Sequence, residues 1–254
     1  MRPFLLCHDG SDHADRVIRR AVALLRPRPA IVLHVPLSPF GGDARHGRSV
    51  AMVLEEAQSL NACVIVVGSH GRFAGALVDR ADRPVLASSP APTPSPASEP
   101  ILFCYDGSRE ARRSFAAAGE LLAGRAAIVA AFMPAVDDLA VLSTSLPWPA
   151  GAEVQDRLAR LDRKEAEAPG ERAAEGARAA AAAGFVARPL AVGGLDASTD
   201  EEEEPSRRLG RAADDEGAAC IVVGHRPSAK GPESTAHGIV READRPVLVV
   251  PGAR

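Results

Sequence analysis

Two aspartates, Asp9 and Asp106, each close an apolar run and are followed by Gly and Ser, in "LLCHDGS" at residues 5–11 and "LFCYDGS" at 102–108. A carboxylate at the end of a buried strand can accept hydrogen bonds from a ribose or an adenine amine, or it can hold its own turn together. The Gly-Ser that follows can turn the chain and cap a helix. A second element with chemical potential is "VVGHRPSAKGPESTAHGIV" at 222–240. There Gly224 permits a sharp turn, and the amides and hydroxyls of Ser234 and Thr235 open a helix that could receive an anion. Lys230 could reach a phosphate, but a lone lysine in a loop reads first as a solvated surface charge. Glu233 opposes the anion reading, because it puts a carboxylate where the phosphate would sit. The matching stretch "VVGSHGRFAGALVDR" at 66–80 passes from Gly68 almost directly into its helix, with Gly68 and Gly71 as its loop glycines.

The remaining reactive side chains form no convincing set. Seven histidines stand at 8, 13, 34, 46, 70, 225 and 237. His225 and His237 flank one loop, but spacing supplies no third metal ligand, so neither a metal site nor a catalytic residue is expected. An arrangement of Ser108, His225 and Asp106 lacks the surroundings of a nucleophile elbow. The four cysteines, at 7, 63, 104 and 220, fall inside apolar runs without the close spacing of a zinc or redox pair, and read as small buried hydrophobes.

The elements that must position these residues come from an internal repeat. Besides the Asp-Gly-Ser segments, "ADRPVLASSP" at 81–90 returns as "ADRPVLVVPG" at 243–252. Asp9 to Pro84 is 75 residues and Asp106 to Pro246 is 140, so the copies share their ends and not their middles. Patterning predicts strands at 3–8, 30–35, 62–67 and 84–88 and helices at 12–25, 50–60 and 73–81 in the first copy, with a Gly-rich loop over 38–49. In the second copy it predicts strands near 101–105, 126–134, 185–194, 219–224 and 246–250. Helices are expected at 109–124, over 152–183 with a break at Pro169 and Gly170, near 206–216, and at 234–242. Pro189 must lie near a sheet edge. Short Val- and Ile-rich runs alternating with helices indicate α/β architecture with parallel sheets covered on both faces. The expected organisation is two tandem open-sheet domains, 1–90 and 101–252, joined by a Pro, Ser and Ala linker at 91–100. The first domain lacks a helix and a strand. The apolar strands at 84–88 and 246–250 are exposed-edge hazards that could cover each other.

Composition narrows the functions. Thirty Lys and Arg against 33 Asp and Glu leave a formal charge of -3, and one Trp, one Tyr and seven Phe give few stacking platforms. Nucleic acid is therefore not an expected partner. No run of 18 apolar residues suits a bilayer, and the chain begins directly in a strand pattern, so a cytoplasmic protein without membrane contact is expected.

Both copies resemble the universal stress protein family. The resemblance rests on "CYDGSREARRSFAAAGELL", "GAACIVVGHRP" and "STAHGIVREADRPVLVVP" in the second copy, and on "CHDGSDHADRVIRRAVALL", "NACVIVVGSHG" and "ADRPVLA" in the first. It implies an adenine nucleotide alpha hydrolase-like fold, with strand order 3-2-1-4-5 in the second domain and 2-1-4-5 in the shorter first. It also implies pairing of the two domains through antiparallel closing strands, with protein partners or a homodimer as further associations. ATP-binding members carry an Asp after strand one and a loop of the form Gly, two residues, Gly, nine residues, Gly, then Ser or Thr. By that resemblance Asp106, Gly224, Ser234 and Thr235 are the nucleotide positions, and Ala131 and Phe132 line the adenine side. The loop departs from the pattern: Pro227 and Glu233 replace glycines, and Gly224 to Ser234 is shorter than required. A stress-associated or regulatory protein is implied, not an enzyme, with ATP binding weak or absent and no cofactor expected. The alternative is an ATP-binding member that uses the modified loop and hydrolyses slowly at most.

Overall fold

Runs such as Val64–Gly68 and Cys220–His225 are too short and too β-branched for helices, and their flanking helices hide both faces of each strand. The computed structural model describes residues 1–35, 43–69, 72–89, 98–122, 124–132, 169–192, 205–226 and 235–252, with the side chains of 43–46 and 132 outside that description. The amino-terminal segment comprises β1 (Phe4–His8), α1 (Asp12–Leu24), β2 (Ala30–His34), α2 (Asp43–Ser59), β3 (Val64–Gly68), α3 (Arg72–Arg80) and β4 (Val85–Ser88). The carboxy-terminal segment comprises β5 (Ile101–Cys104), α4 (Arg109–Leu121), β6 (Ala127–Phe132), α5 (169–182), β7 (Ala187–Val192), α6 (Pro205–Asp215), β8 (Cys220–His225), α7 (Thr235–Glu242) and β9 (Val247–Pro251).

The nine strands form one continuous sheet in the order β2-β1-β3-β4-β9-β8-β5-β6-β7. This corrects the expectation of two tandem sheets ordered 2-1-4-5 and 3-2-1-4-5. Every neighbouring pair is parallel except β4 and β9, which run antiparallel with Val85 opposite Val249, Leu86 opposite Leu248 and Ala87 opposite Val247. A sheet that ended at β4 would leave its backbone groups unpaired beside buried valines. Joining β9 removes that edge and makes the sheet mixed.

The core is continuous across this junction as well. On one face Leu5, Ile65, Val85, Val249, Ile221 and Leu102 pack beneath α2, α3, α6 and α7; on the other Leu6, Val66, Leu86, Leu248, Val222 and Phe103 pack beneath α1, α4 and α5. The repeated Ala-Asp-Arg-Pro motif serves this packing. Arg83 is buried, and its Nη1 donates to the carbonyls of Ala57 (2.6 Å) and Ala62 (3.0 Å). Arg245 likewise donates to the Ala218 carbonyl, and its Nε to Asp214 Oδ1 at 2.7 Å. Each arginine fastens the start of a closing strand to the helix-to-strand turn before it.

Two other local features follow from the packing. The helix α2 begins at Asp43, inside the stretch expected as a loop, and carries Val50, Val53 and Ala57 at helical spacing on a fully buried face. At the two ends of the sheet formed by the described residues, β2 leaves Val32 60% exposed, and β7 carries Pro189 where no further described strand requires an amide. Among the described residues no helix is long and apolar enough to cross a membrane.

Candidate functional site

Strands β5 and β8 are neighbours, with Cys104 opposite Val223; Asp106 follows the end of β5, and Gly224 is still inside β8, opposite Val250 of β9, near the sheet's carboxyl edge. Asp106 is exposed, and its Oδ1 accepts the Ser108 amide at 2.8 Å, the turn-holding arrangement open to this residue type. Gly107, at φ 82°, makes that turn. Ser108 then caps α4, its Oγ accepting from the Ala111 amide at 3.1 Å. Its hydroxyl is thus engaged in a cap and not in a nucleophile pair.

Gly224 lies directly under this cap. A Cβ on Gly224 would stand 2.5 Å from the carbonyl carbon of Glu110 and 2.7 Å from the amide nitrogen of Ala111. The glycine therefore admits the first turn of α4 against β8. Ala131 is fully buried within β6, opposite Ala191 of β7, and Phe132 ends the same strand opposite Val192. Thr235 is exposed at the first residue of α7. Gly71, Pro227, Ser228, Lys230, Glu233 and Ser234 lie outside the described residues.

Beside the mouth, Tyr105 is buried, and its hydroxyl is held by Arg112 Nε at 3.1 Å and lies 3.0 Å from Glu175 Oε1. Arg112 Nη2 donates to the same Glu175 oxygen at 2.6 Å. Burial raises the Tyr105 pKa, and the hydrogen bond from Arg112 lowers that of Glu175. This network fastens α4 to α5 and leaves Tyr105 as a structural group.

The first copy repeats the turn with a variation. Asp9 Oδ1 accepts from both the amide (3.0 Å) and the hydroxyl (2.6 Å) of Ser11, and Ser11 Oγ in turn accepts the Ala14 amide at 3.1 Å. The hydroxyl bond from Ser11 is the main cause of a lowered Asp9 pKa. His8 Nδ1 accepts the Gly10 amide at 2.8 Å, and its Nε2 lies 3.0 Å from Asp15 Oδ1.

A second convergence was not visible in the spacing of the histidines. His225, at the end of β8, and His237, on α7, meet with ring centroids 5.5 Å apart, and Asp79 of α3 comes between them from the other segment. Asp79 Oδ1 lies 3.3 Å from His237 Nε2 and 3.5 Å from His225 Nε2. His225 is 2% exposed, and its Nε2 has no hydrogen-bond partner among the described residues. Burial, reinforced by the charge of His237, lowers the His225 pKa. The signal that could have found Asp79 is the β4 and β9 pairing, which brings α3 against α7.

The four cysteines are buried and free, and burial pushes the thiols of Cys7, Cys104 and Cys220 up to about 12. They are poor nucleophiles and poor ligands. A cavity lined by Arg26, Leu122, Arg125 and Phe185 opens at the opposite, amino ends of β6 and β7, away from the mouth where ligands of such sheets sit.

Residues 98–251 match the profile of the Universal stress protein family. A universal stress protein from Archaeoglobus fulgidus DSM 4304 superimposes with a TM-score of 0.62 at 14% identity, covering 98% of both chains. A protein of the same family from Burkholderia pseudomallei matches at 21% identity and a TM-score of 0.40, covering 63% of this chain and 100% of its own. An Archaeoglobus fulgidus universal stress protein in complex with dAMP matches at 20% identity and a TM-score of 0.37, covering 61% of this chain and 99% of its own. No curated protein matches the chain. With more than half of its length matched by the family profile, the chain belongs to the universal stress protein family.

Proposed function

We propose that this family member is a non-catalytic regulatory protein, associated with stress, that works through contacts with other proteins and in which ATP binding is weak or absent. The observation that carries the reading is that the two residues best placed for a nucleotide, Asp106 and Gly224, already serve the fold. Asp106 holds the turn at Ser108, and Gly224 is filled by the first turn of α4. Close packing against α4 accounts for a glycine at 224 without any ligand. The sequence of the loop supports the same reading, since Pro227 lacks an amide donor and Glu233 adds a carboxylate near any phosphate. On this reading the shortened first copy of the repeat binds no nucleotide and acts as the packing partner of the second.

A second reading, an ATP site built from the modified loop, draws on the exposure of Asp106 and Thr235 at the carboxyl side of the sheet. Mass spectrometry of small molecules released from the purified full chain separates the two. Release of no stoichiometric adenine nucleotide is expected. Release of one ATP or ADP per chain would overturn the proposal.

A further inference from the structure

Among the described residues the His225, His237 and Asp79 cluster exists once, although the repeat could have produced it twice. Aligning "VDRADRPVL" with "VREADRPVL" and the two Val-Val-Gly turns places Gly75 against His237, Ser69 against His225 and Asp79 against Arg241. The second copy thus supplies both imidazoles and no carboxylate, and the first supplies the carboxylate and no imidazole. Only the antiparallel junction of β4 and β9 unites them. Gly75 is part of the fit, because a Cβ there would lie 3.3 Å from Cδ2 of His237 and crowd its ring.

The separations are those of ligands around an ion. A tetrahedral zinc with bonds of about 2.0–2.1 Å holds its ligand atoms about 3.3 Å apart. The two histidine-to-carboxylate separations are 3.3 and 3.5 Å, and the three ligating atoms all lie within 4.8 Å of one another. Both imidazoles present Nε2 to the centre, and the buried Nε2 of His225 is left without a hydrogen-bond partner among the described residues, a costly omission unless something else occupies it. The Asp79 side chain is 42% exposed, so the cluster has a route to solvent and room for a fourth, external ligand.

We propose that Asp79 Oδ1, His225 Nε2 and His237 Nε2 form a binding site for one divalent transition metal ion, zinc by ligand type, which clasps the two segments across the β4 and β9 junction. Two imidazoles and one carboxylate suit zinc and its neighbours better than magnesium or calcium, which favour all-oxygen sites. His237 Nε2 also lies 3.3 Å from the Gly75 carbonyl, a contact that an ion on the same nitrogen would replace, because a ligating nitrogen has no proton to donate.

The test uses the untagged full chain, stripped with chelator and titrated with zinc by calorimetry and with cobalt(II) by absorption. One ion per chain is expected, with a tetrahedral cobalt spectrum that lacks a sulfur charge-transfer band. Asp79→Asn keeps the shape of the side chain and His237→Ala removes a partly accessible ligand; circular dichroism checks that each folds. Each variant should lose more affinity than the about 10–100-fold cost of removing an outer-shell partner, and zinc should raise the melting temperature of the wild type alone. If a variant fails to fold, the other decides. No saturable uptake by the wild type, uptake undiminished in a folded variant, or a cobalt–thiolate band would each overturn the site.

Discussion

Gly224 on β8 lies so close beneath Glu110 of α4 that a Cβ at 224 would come within 2.5 Å of the Glu110 carbonyl carbon. The contact is backbone on backbone, which cannot be relieved by turning a side chain. Gly224→Ala should therefore lift α4 from the sheet and destabilise the protein by about 1–3 kcal/mol, the range typical of overpacking. Denaturant unfolding measures it. An unchanged midpoint would show that the glycine is free for another role.

Ser108 closes the orphan amide end of α4 by accepting from Ala111. Ser108→Ala should cost about 0.5–2 kcal/mol and Ser108→Gly only a few tenths, the order expected of a helix cap. Equal losses in the two variants, read from chemical denaturation, would contradict the capping role.

Leu86 and Leu248 face each other across the antiparallel junction, both fully buried. Leu248→Ala should cost about 2–5 kcal/mol. Because both core faces run through the junction, calorimetry should show the loss as a downward shift of one unfolding transition. A separate early transition, with half of the molecule unaffected, would contradict the continuity of the core.

The Ser11 hydroxyl keeps the Asp9 carboxylate ionised to lower pH than usual. A carboxyl that titrates lower in the folded chain than in the unfolded one adds stability above its unfolded pKa of about 3.9, and that contribution disappears as pH falls through the folded value. Asp9 should therefore titrate below its position in a Ser11→Ala variant when followed by carbon NMR. Coincident titration curves would show that the hydroxyl bond has no such effect.

Much of this is legible in the sequence itself. The Gly-Ser after each aspartate announced a turn and a cap because few residue types do both, and the Val- and Ile-rich runs announced buried strands because both of their faces are apolar. What the chain's local chemistry could not disclose was long-range. The pattern marks β4 and β9 as apolar edges, but nothing within either run states that the two fuse one nine-stranded sheet. Asp79 resembles any charged residue near a helix end until that fusion sets it beside His225 and His237. The start of α2 at Asp43 was hidden by Gly41 and Gly42 before it and Gly47 within it, which advertise a loop.

The central claim is that Asp106 and Gly224 hold the fold together and do not make a tight nucleotide site. Calorimetric titration of the full chain with ATP, at fixed magnesium and salt, beside Asp106→Ala is its most direct measurement. The account predicts a dissociation constant above about 100 μM, less than about 5.5 kcal/mol of binding free energy, with Asp106→Ala lowering stability more than affinity. Binding at or below about 1 μM that Asp106→Ala abolishes would contradict it.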